Sequence, residues 1–367
     1  MSPTQSRMVA LRDVAAAAGV HPSTASRALN PAMRYLVADP VVARVQEVAS
    51  RLGYRPNAVA MSLRTGRSRL IGALVPGIAN PVFAPILAGA AEVLSSAGYA
   101  LMVADPGDDN GRAAEFVEQL AARGADGLLL ATASLRDDPA LAACRARNIP
   151  AVLVNRGSEG MSSVVSDDRG GMALAVAHLL QLGHRRIALI AGPAQLSTGL
   201  RRSEGFEEAL RAQGLAPDPA LQEITAAYTR EAGERAAARL IARHSDVTAL
   251  SCANDLLALG AYDACRRAGL RIPEDISVTG HNDMPMVDLI EPPLTTVRIP
   301  HGEMGRQAAG LLLDRIGHGG GASDVVLPSA LVVRGSTAAP RPTAPGAAPA
   351  ARSARRRGPA RPGHPEG

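Results

Sequence analysis

Short apolar runs alternate with segments of helical spacing through most of the chain, and this alternation restricts the fold more than any other feature. The apolar runs occupy residues 70–75, 100–103, 127–130, 152–154, 186–190, 247–250 and 276–278. Helical spacing marks the segments near residues 84–97, 111–123, 171–182, 201–213, 230–243, 255–268 and 302–316. Short continuous apolar runs are typical of parallel strands that are buried on both faces. The pattern therefore predicts doubly wound parallel α/β sheets, and the number of strands predicts two lobes.

The stretch Val20–Asn30 has the pattern of the second helix of a helix-turn-helix. Pro22 fits the first helical position, where its missing N–H costs nothing. Ala25, Ala28 and Leu29 recur on one face, and the opposite face carries polar side chains, namely Ser23, Thr24, Ser26 and Arg27. Such a face can enter a major groove, where an arginine reaches guanine O6 and N7 and the hydroxyls contact phosphates or base edges. An Ala-rich surface hairpin is the alternative interpretation of this segment taken alone.

The segments around this stretch complete a small helical module. Residues 11–18 fit a supporting helix, and Gly19 stands where the turn needs it. Residues 40–52 keep helical spacing, and Gly53 ends that third helix. Three short helices on one apolar core predict a DNA-reading module. Residues 54–68 predict a further helix, too short to be stable alone in water, that forms only against a partner subunit or DNA, with a plain linker as the alternative.

Positive charge is concentrated at the two ends of the chain. Residues 1–69 carry ten arginines against three acidic residues, residues 70–338 carry 23 against 30, and residues 339–367 carry six against one. A basic N-terminal part on an acidic body is the charge distribution of a nucleic-acid-binding protein whose affinity falls with salt. The final segment is rich in Pro, Ala, Gly and Arg, so we expect it to be disordered.

The composition excludes several kinds of chemistry. All 39 cationic residues are arginine, so no lysine is present for a Walker P-loop or a Schiff base. Cys144, Cys252 and Cys265 lack C-x-x-C spacing, and neither a disulfide framework nor a zinc site is indicated. The sequence has no N-terminal apolar leader and no apolar run long enough to cross a membrane. We therefore expect a soluble cytoplasmic protein of two or three domains, without a membrane partner, a metal or a cofactor.

Five segments in register resemble the lac-repressor-like (LacI/GalR) family of bacterial transcription regulators, and together they extend over residues 9–338. Residues 11–30 resemble the helix-turn-helix of that family, and residues 52–63 resemble its hinge signature. The other segments are residues 178–188, 253–261 and 272–297. One such segment is a weak signal, whereas five in order are specific.

The resemblance implies a division of the chain into five parts. These are a flexible start over residues 1–8, a helix-turn-helix DNA-binding domain over 9–55, a hinge helix and linker over 56–68, a two-lobed periplasmic-binding-protein-like domain for effector binding and dimerisation over 69–338, and a disordered basic tail over 339–367. As a partner it implies a pseudo-palindromic operator in double-stranded DNA, bound by a homodimer.

The resemblance also places DNA contacts on individual residues. They are Ser23, Thr24, Ser26, Arg27, Asn30, Tyr54, Asn57, Ala60 and Leu63. Leu63 is expected to wedge into the minor groove and kink the site as the hinge helices of two subunits pair.

A small effector, often a sugar or a nucleoside, is implied between the lobes, at the carboxyl ends of the strands. By position, the contacts are expected from Asn80, Phe83, Asp105, Arg156, Thr198, Arg202, Asn254, Asn282 and His301. Arg, Asp and Asn side chains can hold sugar hydroxyls with paired hydrogen bonds, and Phe83 offers a ring face for stacking. No catalytic residue is implied.

The chain departs from the family pattern at several positions. Ala10 and His21 replace residues whose side chains usually cap the first two helices, each typically worth ~1 kcal/mol. Pro22 occupies a base-reading position without a hydrogen-bonding group, so direct readout rests on Ser23 and Arg27. The loop over residues 31–36 is about two residues longer than usual. Two apolar residues, Val41 and Val42, replace a polar pair that contacts phosphates, and Asn282 replaces a common aspartate, which removes a charge from the effector site.

Two other classes of protein fit the sequence less well than a regulator. An exported sugar-binding transport protein shares the two-lobed body, but it needs an export signal and has no use for residues 9–64. An enzyme needs reactive groups in contact, and the candidates His184, Asp167, Asp168 and Cys252 fit a turn, a helix cap and a strand end better. We therefore expect a dimeric repressor whose operator affinity is controlled by a small molecule.

Overall fold

Three short helices form the first part of the chain, in a computed structural model that describes residues 9–30, 33–55 and 66–341. They are α1 (Leu11–Ala17), α2 (Pro22–Leu29) and α3 (Asp39–Arg51), with a 3-10 turn at Arg34–Leu36 before α3. Their apolar faces enclose one small core, in which Val14, Ala25, Ala28 and Val45 are fully buried. The expected helix-turn-helix is thereby confirmed. The chain divides into two compact units, Met1–Leu70 and Ile71–Gly367.

The starts of the first two helices are capped differently from what the sequence suggested. The Nδ1 atom of His21 accepts a hydrogen bond from the Ser23 backbone N–H at 3.3 Å. The prediction that His21 leaves α2 without a side-chain cap was wrong, because a neutral imidazole nitrogen can act as the acceptor. Ala10 provides no side-chain cap, as expected, but its own N–H donates to Asp13 Oδ2 at 2.8 Å.

The second unit contains two six-stranded sheets. The first sheet has, in spatial order, β11 (Asp324–Leu327), β5 (Ser163–Ser166), β4 (Ala151–Val154), β3 (Gly127–Leu130), β1 (Leu70–Leu74) and β2 (Ala100–Ala104). The pairings of β1 with β3, β3 with β4, β4 with β5 and β5 with β11 are all parallel.

The second sheet repeats this arrangement with one antiparallel edge. Its spatial order is β12 (Ala330–Val332), β10 (Thr295–Arg298), β9 (Ser277–Asn282), β8 (Ala249–Cys252), β6 (Ile187–Ala191) and β7 (Gln222–Ile224). Only the pairing of β10 with β12 is antiparallel among these described strands. The predicted pair of doubly wound, mainly parallel sheets is confirmed.

Helices cover the faces of both sheets. They are α4 (Phe83–Ser96), α5 (Asn110–Ala122), α6 (Pro139–Ala146), α7 (Asp168–Gln181), α8 (Ser197–Ala212), α9 (Arg230–Arg243), α10 (Asp255–Arg267) and α11 (His301–His318). The first lobe consists of the first sheet with α4, α5, α6 and α11, and the second lobe consists of the second sheet with α7 to α10. The chain passes between the lobes three times, from β5 to α7, from β10 to α11 and from β11 to β12.

Several elements of the second unit were not predicted from the sequence. The missed strands are β5, β7, β10, β11 and β12, and the missed helix is α6. β5, β7, β10 and β11 are short and mix polar with apolar residues, as in the Ser-Val-Val-Ser run of β5, whereas β12 is a three-residue apolar strand at the edge of its sheet. Among the described helices none is long and apolar enough to cross a membrane.

Candidate functional site

The polar face of α2 is a candidate DNA-contacting surface. Ser23 and Arg27 are exposed, Thr24 and Ser26 are partly exposed, and Ala25 on the opposite face is fully buried. The Ser23 hydroxyl lies 2.8 Å from His21 Nδ1, which orients it at the first turn of the helix. The predicted division of α2 into a core face and a polar face is therefore present in the fold, and the DNA contacts themselves remain a prediction.

The other predicted DNA-contacting residues have different surroundings. Asn30 ends α2, where its N–H donates to the Arg27 carbonyl oxygen at 3.1 Å. Tyr54 is half-buried against the core of the three helices, and burial raises its pKa. The predicted contacts at Asn57, Ala60 and Leu63 lie outside the described residues.

A cavity lined mainly by polar side chains lies between the two lobes of the second unit. The residues that line it follow the carboxyl ends of strands from both sheets, which is where open α/β sheets place ligands. The first lobe contributes Pro76, Asn80, Val82, Phe83, Asp108, Asn155 and Arg156. The second lobe contributes Thr198, Arg202, Tyr228, Asn254 and Asn282. Most of these side chains are polar, so the cavity suits a polar ligand better than a lipid.

Two asparagines face the cavity from the ends of central strands. Asn155 follows β4 with a φ of 67°, and Asn282 ends β9 with a φ of 112°. Asparagine tolerates positive φ better than most residues, which accounts for its use at these turns. Both side chains are buried, and neither Oδ1 atom has a hydrogen-bond partner among the described residues. Because an unpaired buried acceptor is costly, these two oxygens point to a ligand that donates hydrogen bonds.

Arg202 is held rigidly in the second-lobe wall. Its Nε and Nη2 atoms lie 2.8 and 2.7 Å from Asp168 Oδ1, and its Nη1 donates to the Ala253 carbonyl oxygen at 2.7 Å. Burial raises the pKa of Asp168, whereas the Arg202 charge acts in the opposite direction. Asn254 follows Ala253 and caps α10 by accepting from the Leu257 N–H at 2.8 Å. The cavity therefore has one wall whose groups are fixed before any ligand arrives.

Arg156 is held much more loosely. Its guanidinium contacts the Thr132 carbonyl oxygen at 3.4 Å and Asp108 Oδ1 at 3.5 Å, both at the limit of a hydrogen bond. Its Nε has no partner among the described residues, and burial lowers its pKa. A buried guanidinium with such weak partners can donate strong hydrogen bonds to an incoming ligand.

Two aromatic rings complete the lining. Phe83 begins α4 and is almost fully buried, so that only its cavity-facing side is available. The Tyr228 hydroxyl donates to Thr198 Oγ1 at 3.2 Å, and burial raises its pKa. A Cβ atom at Gly192 would lie 2.1 Å from the Tyr228 hydroxyl, so this close approach of ring and backbone requires glycine.

Comparison with known proteins gives the family of the chain. Residues 10–57 match the family described as bacterial regulatory proteins, lacI family, and residues 176–337 match the periplasmic binding protein-like domain. The HTH-type transcriptional regulator MalR of Streptomyces coelicolor is 38% identical over 349 residues, which cover 89% of this chain and 96% of MalR. The chain belongs to the lacI family of bacterial regulatory proteins. Its relatives are regulators, so this is a DNA-binding transcription regulator and not an enzyme, and the transport-protein alternative does not account for residues 10–57.

Two solved structures of transcription regulators have the same architecture. A lac repressor dimer bound to operator and the anti-inducer ONPF gives a TM-score of 0.81 at 29% identity, covering 91% of this chain and 100% of that one. The regulator CelR in complex with cellobiose gives a TM-score of 0.70 at 34% identity, covering 89% of this chain and 99% of that one. These similarities confirm the expected combination of a helix-turn-helix and a two-lobed α/β body.

Seven of the nine effector positions predicted for this lacI-family regulator line the cavity; the other two are Asp105 and His301. The Asp105 carboxylate accepts hydrogen bonds from the backbone N–H groups of Ile78, Gly77 and Gly107 at 2.7 to 2.9 Å, so it fixes the loop after β1. His301 begins α11, and burial lowers its pKa to about 4. The Nε2 atom of its ring has no partner in the described part of the chain.

The sequence missed three polar lining residues of this regulator. Asp108 and Asn155 each follow the carboxyl end of a predicted strand, so their position was a usable signal. Tyr228 lies after β7, a three-residue strand that the sequence pattern did not predict. Its role in the cavity follows only from the pairing of β7 with β6.

Proposed function

We propose that this regulator represses transcription by binding a pseudo-palindromic operator as a homodimer, and that a small polyhydroxylated metabolite in the cavity controls its operator affinity. Residues 9–55 are assigned to DNA binding, residues 56–68 to the hinge and residues 69–338 to effector binding and dimerisation. DNA as the partner makes the bacterial cytoplasm the expected location.

The observation that carries the effector proposal is the set of unpaired polar atoms in the cavity. Asn155 and Asn282 offer two buried acceptors from opposite lobes, and Arg156 offers an unpaired donor. A hydroxyl group can donate and accept at once, so a sugar with several hydroxyls can satisfy all three. The relative CelR was solved with cellobiose and the lac repressor with ONPG, which supports a sugar here.

Both lobes contribute to the proposed site, and this provides the coupling. A ligand that bonds to Asn155 in the first lobe and Asn282 in the second favours one relative position of the lobes. If that position has a different operator affinity, ligand and operator are linked by a coupling free energy, and each changes the affinity of the other by the same factor.

Proposed effector contacts are those predicted from the sequence, with Asp105 and His301 in indirect positions. Asn80, Phe83 and Arg156 contact the ligand from the first lobe. Thr198, Arg202, Asn254 and Asn282 contact it from the second lobe. Phe83 supplies the ring face on which the apolar side of a sugar or the base of a nucleoside stacks.

A two-part experiment tests the proposal. Full-length protein is first used to select preferred fragments from a library of random duplex DNA, and recovery of a palindromic motif is the expected result. Thermal unfolding is then measured with maltose, cellobiose, ribose, adenosine and cytidine, because tight binding to the native state raises the melting temperature. Failure to recover any motif that the protein prefers over random duplex would overturn the DNA part. A recovered motif whose affinity is changed by no stabilising ligand would overturn the coupling.

A further inference from the structure

Tyr35 is much more exposed to solvent than the other seven aromatic residues of the chain. The chain has five tyrosines, three phenylalanines and no tryptophan, and all eight rings lie among the described residues. Seven are buried or half-buried, whereas Tyr35 is 82% exposed. The next residue, Leu36, is 53% exposed. Tyr35 and Leu36 are thus neighbouring apolar side chains that lie mostly outside the core of the three helices.

The backbone explains why these side chains point away from the core. The Met33 N–H donates to the Asn30 carbonyl oxygen at 3.0 Å, which ties the segment to the end of α2. Hydrogen bonds from Leu36 to Met33 and from Val37 to Arg34, both 3.0 Å long, then close the 3-10 turn. Val37 packs against the core of the three helices, so the turn is anchored directly after the exposed pair.

The charges beside this turn favour a polyanion. Arg27 in the last turn of α2 and Arg34 in the 3-10 turn are both exposed, and neither forms an ion pair within the described residues. The acidic residues of the first 69 positions are Asp13, Asp39 and Glu47, against ten arginines. Asp39 is the first residue of α3, where the partial positive charge of the helix N-terminus offsets part of its negative charge.

We infer that Tyr35 and Leu36 form a second DNA-contacting element beside α2, built on the loop that the sequence makes two residues longer. The Tyr35 hydroxyl donates to a backbone phosphate, the ring and the Leu36 side chain cover the adjoining deoxyribose, and Arg34 contacts a neighbouring phosphate. This inference rests on the proposed entry of α2 into the major groove. Phosphate and sugar contacts position a protein without reading sequence, so the element adds affinity for any duplex.

The test separates a neutral contact from a charged one by salt dependence. Full-length protein and its variants are titrated with the fragment recovered by selection and with a random-sequence duplex, each over a series of salt concentrations. Y35A is expected to lower affinity about tenfold on both duplexes with an unchanged salt slope, because a neutral side chain releases no counterion. Y35F keeps the ring and lacks the hydroxyl, so it is expected to regain the part of the DNA affinity lost in Y35A that the ring contributes. R34A is expected to lower both the affinity and the slope, the latter by about one.

Matched controls keep the result interpretable. Val326→Ala removes an exposed apolar side chain from β11 in the second unit and is expected to leave DNA affinity unchanged. Melting temperatures confirm that each variant is folded, since an exposed ring contributes little to stability. Wild-type affinity of Y35A on both duplexes would overturn the inference while leaving the proposed function standing. A wild-type protein that binds random duplex without preference overturns the proposed function, and a loss by Y35A on that duplex still supports this contact.

Discussion

Asp168 and Arg202 form a buried ion pair in which both Nε and Nη2 of the arginine lie within 2.8 Å of one carboxylate oxygen. Asp168 is the first residue of α7, directly after the chain crosses from the first lobe. Arg202 lines the cavity from α8. The ion pair therefore connects the segment that crosses between the lobes with the wall of the cavity. The same Asp168 oxygen, Oδ1, also accepts a hydrogen bond from the Ser166 hydroxyl at 3.1 Å.

Replacing Asp168 with Asn is expected to destabilise the protein strongly. The guanidinium of Arg202 would stay buried without a counter-charge, and breaking a buried pair in this way typically costs about 3 kcal/mol or more. Urea unfolding of the full chain gives the change in the free energy of unfolding. Glu118→Gln is the matched control, because its pair with Arg147 is exposed and its loss should leave the free energy of unfolding nearly unchanged. Equal stability of the two variants would contradict this account of the buried pair.

Replacing Arg156 with Met is expected to change stability and ligand binding in opposite directions. The free protein should become slightly more stable, because a poorly paired buried charge is removed while the packing volume is kept. The melting-temperature increase caused by the best-stabilising sugar should disappear, because the ligand loses its strongest donor. Arg136→Gln serves as control, since Arg136 is exposed in the loop after β3. A sugar response in the Arg156→Met protein equal to that of wild type would remove Arg156 from the proposed site.

Ser197 is expected to hold the lobes together in the ligand-free protein. Its hydroxyl accepts from the Gly157 N–H at 2.9 Å and so joins the second lobe to the first. Ser197→Ala removes the acceptor, and a hydrogen bond of about 1 kcal/mol corresponds to roughly fivefold faster exchange of the Gly157 amide hydrogen. Hydrogen exchange followed by mass spectrometry measures this rate. Ser203→Ala is the control, because within the described ranges that hydroxyl donates only to the Gly199 carbonyl oxygen, which lies in the same helix α8. Faster exchange in both variants alike would argue against a contact specific to the lobes.

Two of the buried groups that titrate between about pH 4 and pH 7, Asp255 and His301, are expected to change stability in opposite directions. Burial raises the pKa of Asp255 to about 7, so the folded state keeps a proton that the unfolded state releases near its ordinary value, and stability falls as pH rises through this range. Burial lowers the pKa of His301 to about 4, so the unfolded state holds the extra proton up to its ordinary pKa of 6.5, and stability rises with pH.

Two variants separate these contributions. Asp255→Asn should make the slope of unfolding free energy against pH more positive, and His301→Gln should make it more negative. Urea denaturation in steps from about pH 4.5 to about pH 7.5 measures both slopes. The Asp255 carboxylate accepts from the Met284 N–H at 2.8 Å and the Thr296 hydroxyl at 2.5 Å, and an asparagine oxygen can keep one of these bonds. Unchanged slopes in both variants would show that neither group titrates in this range.

The sequence by itself determined the fold class and most of the cavity. Continuous apolar runs such as Leu128–Leu130 are buried on both faces, and parallel strands need such runs, so the doubly wound body could be inferred without coordinates. The polar face of α2 followed in the same way, because Ala25 and Ala28 recur at helical spacing. Resemblance to the lacI family then supplied Asn254 and Arg202 as positions in the cavity.

Only the tertiary structure decided which of the remaining polar side chains meet. Asp105 follows a strand just as Asn155 does, yet its carboxylate is occupied by three backbone N–H groups, whereas the Asn155 oxygen is left unpaired. Tyr228 reaches the cavity because the short strand β7 pairs with β6, an interaction between segments more than 30 residues apart. Local periodicity reports which face of an element is buried, but the partner of a polar group is fixed by contacts between distant segments, and a single sequence does not encode those contacts in any local pattern.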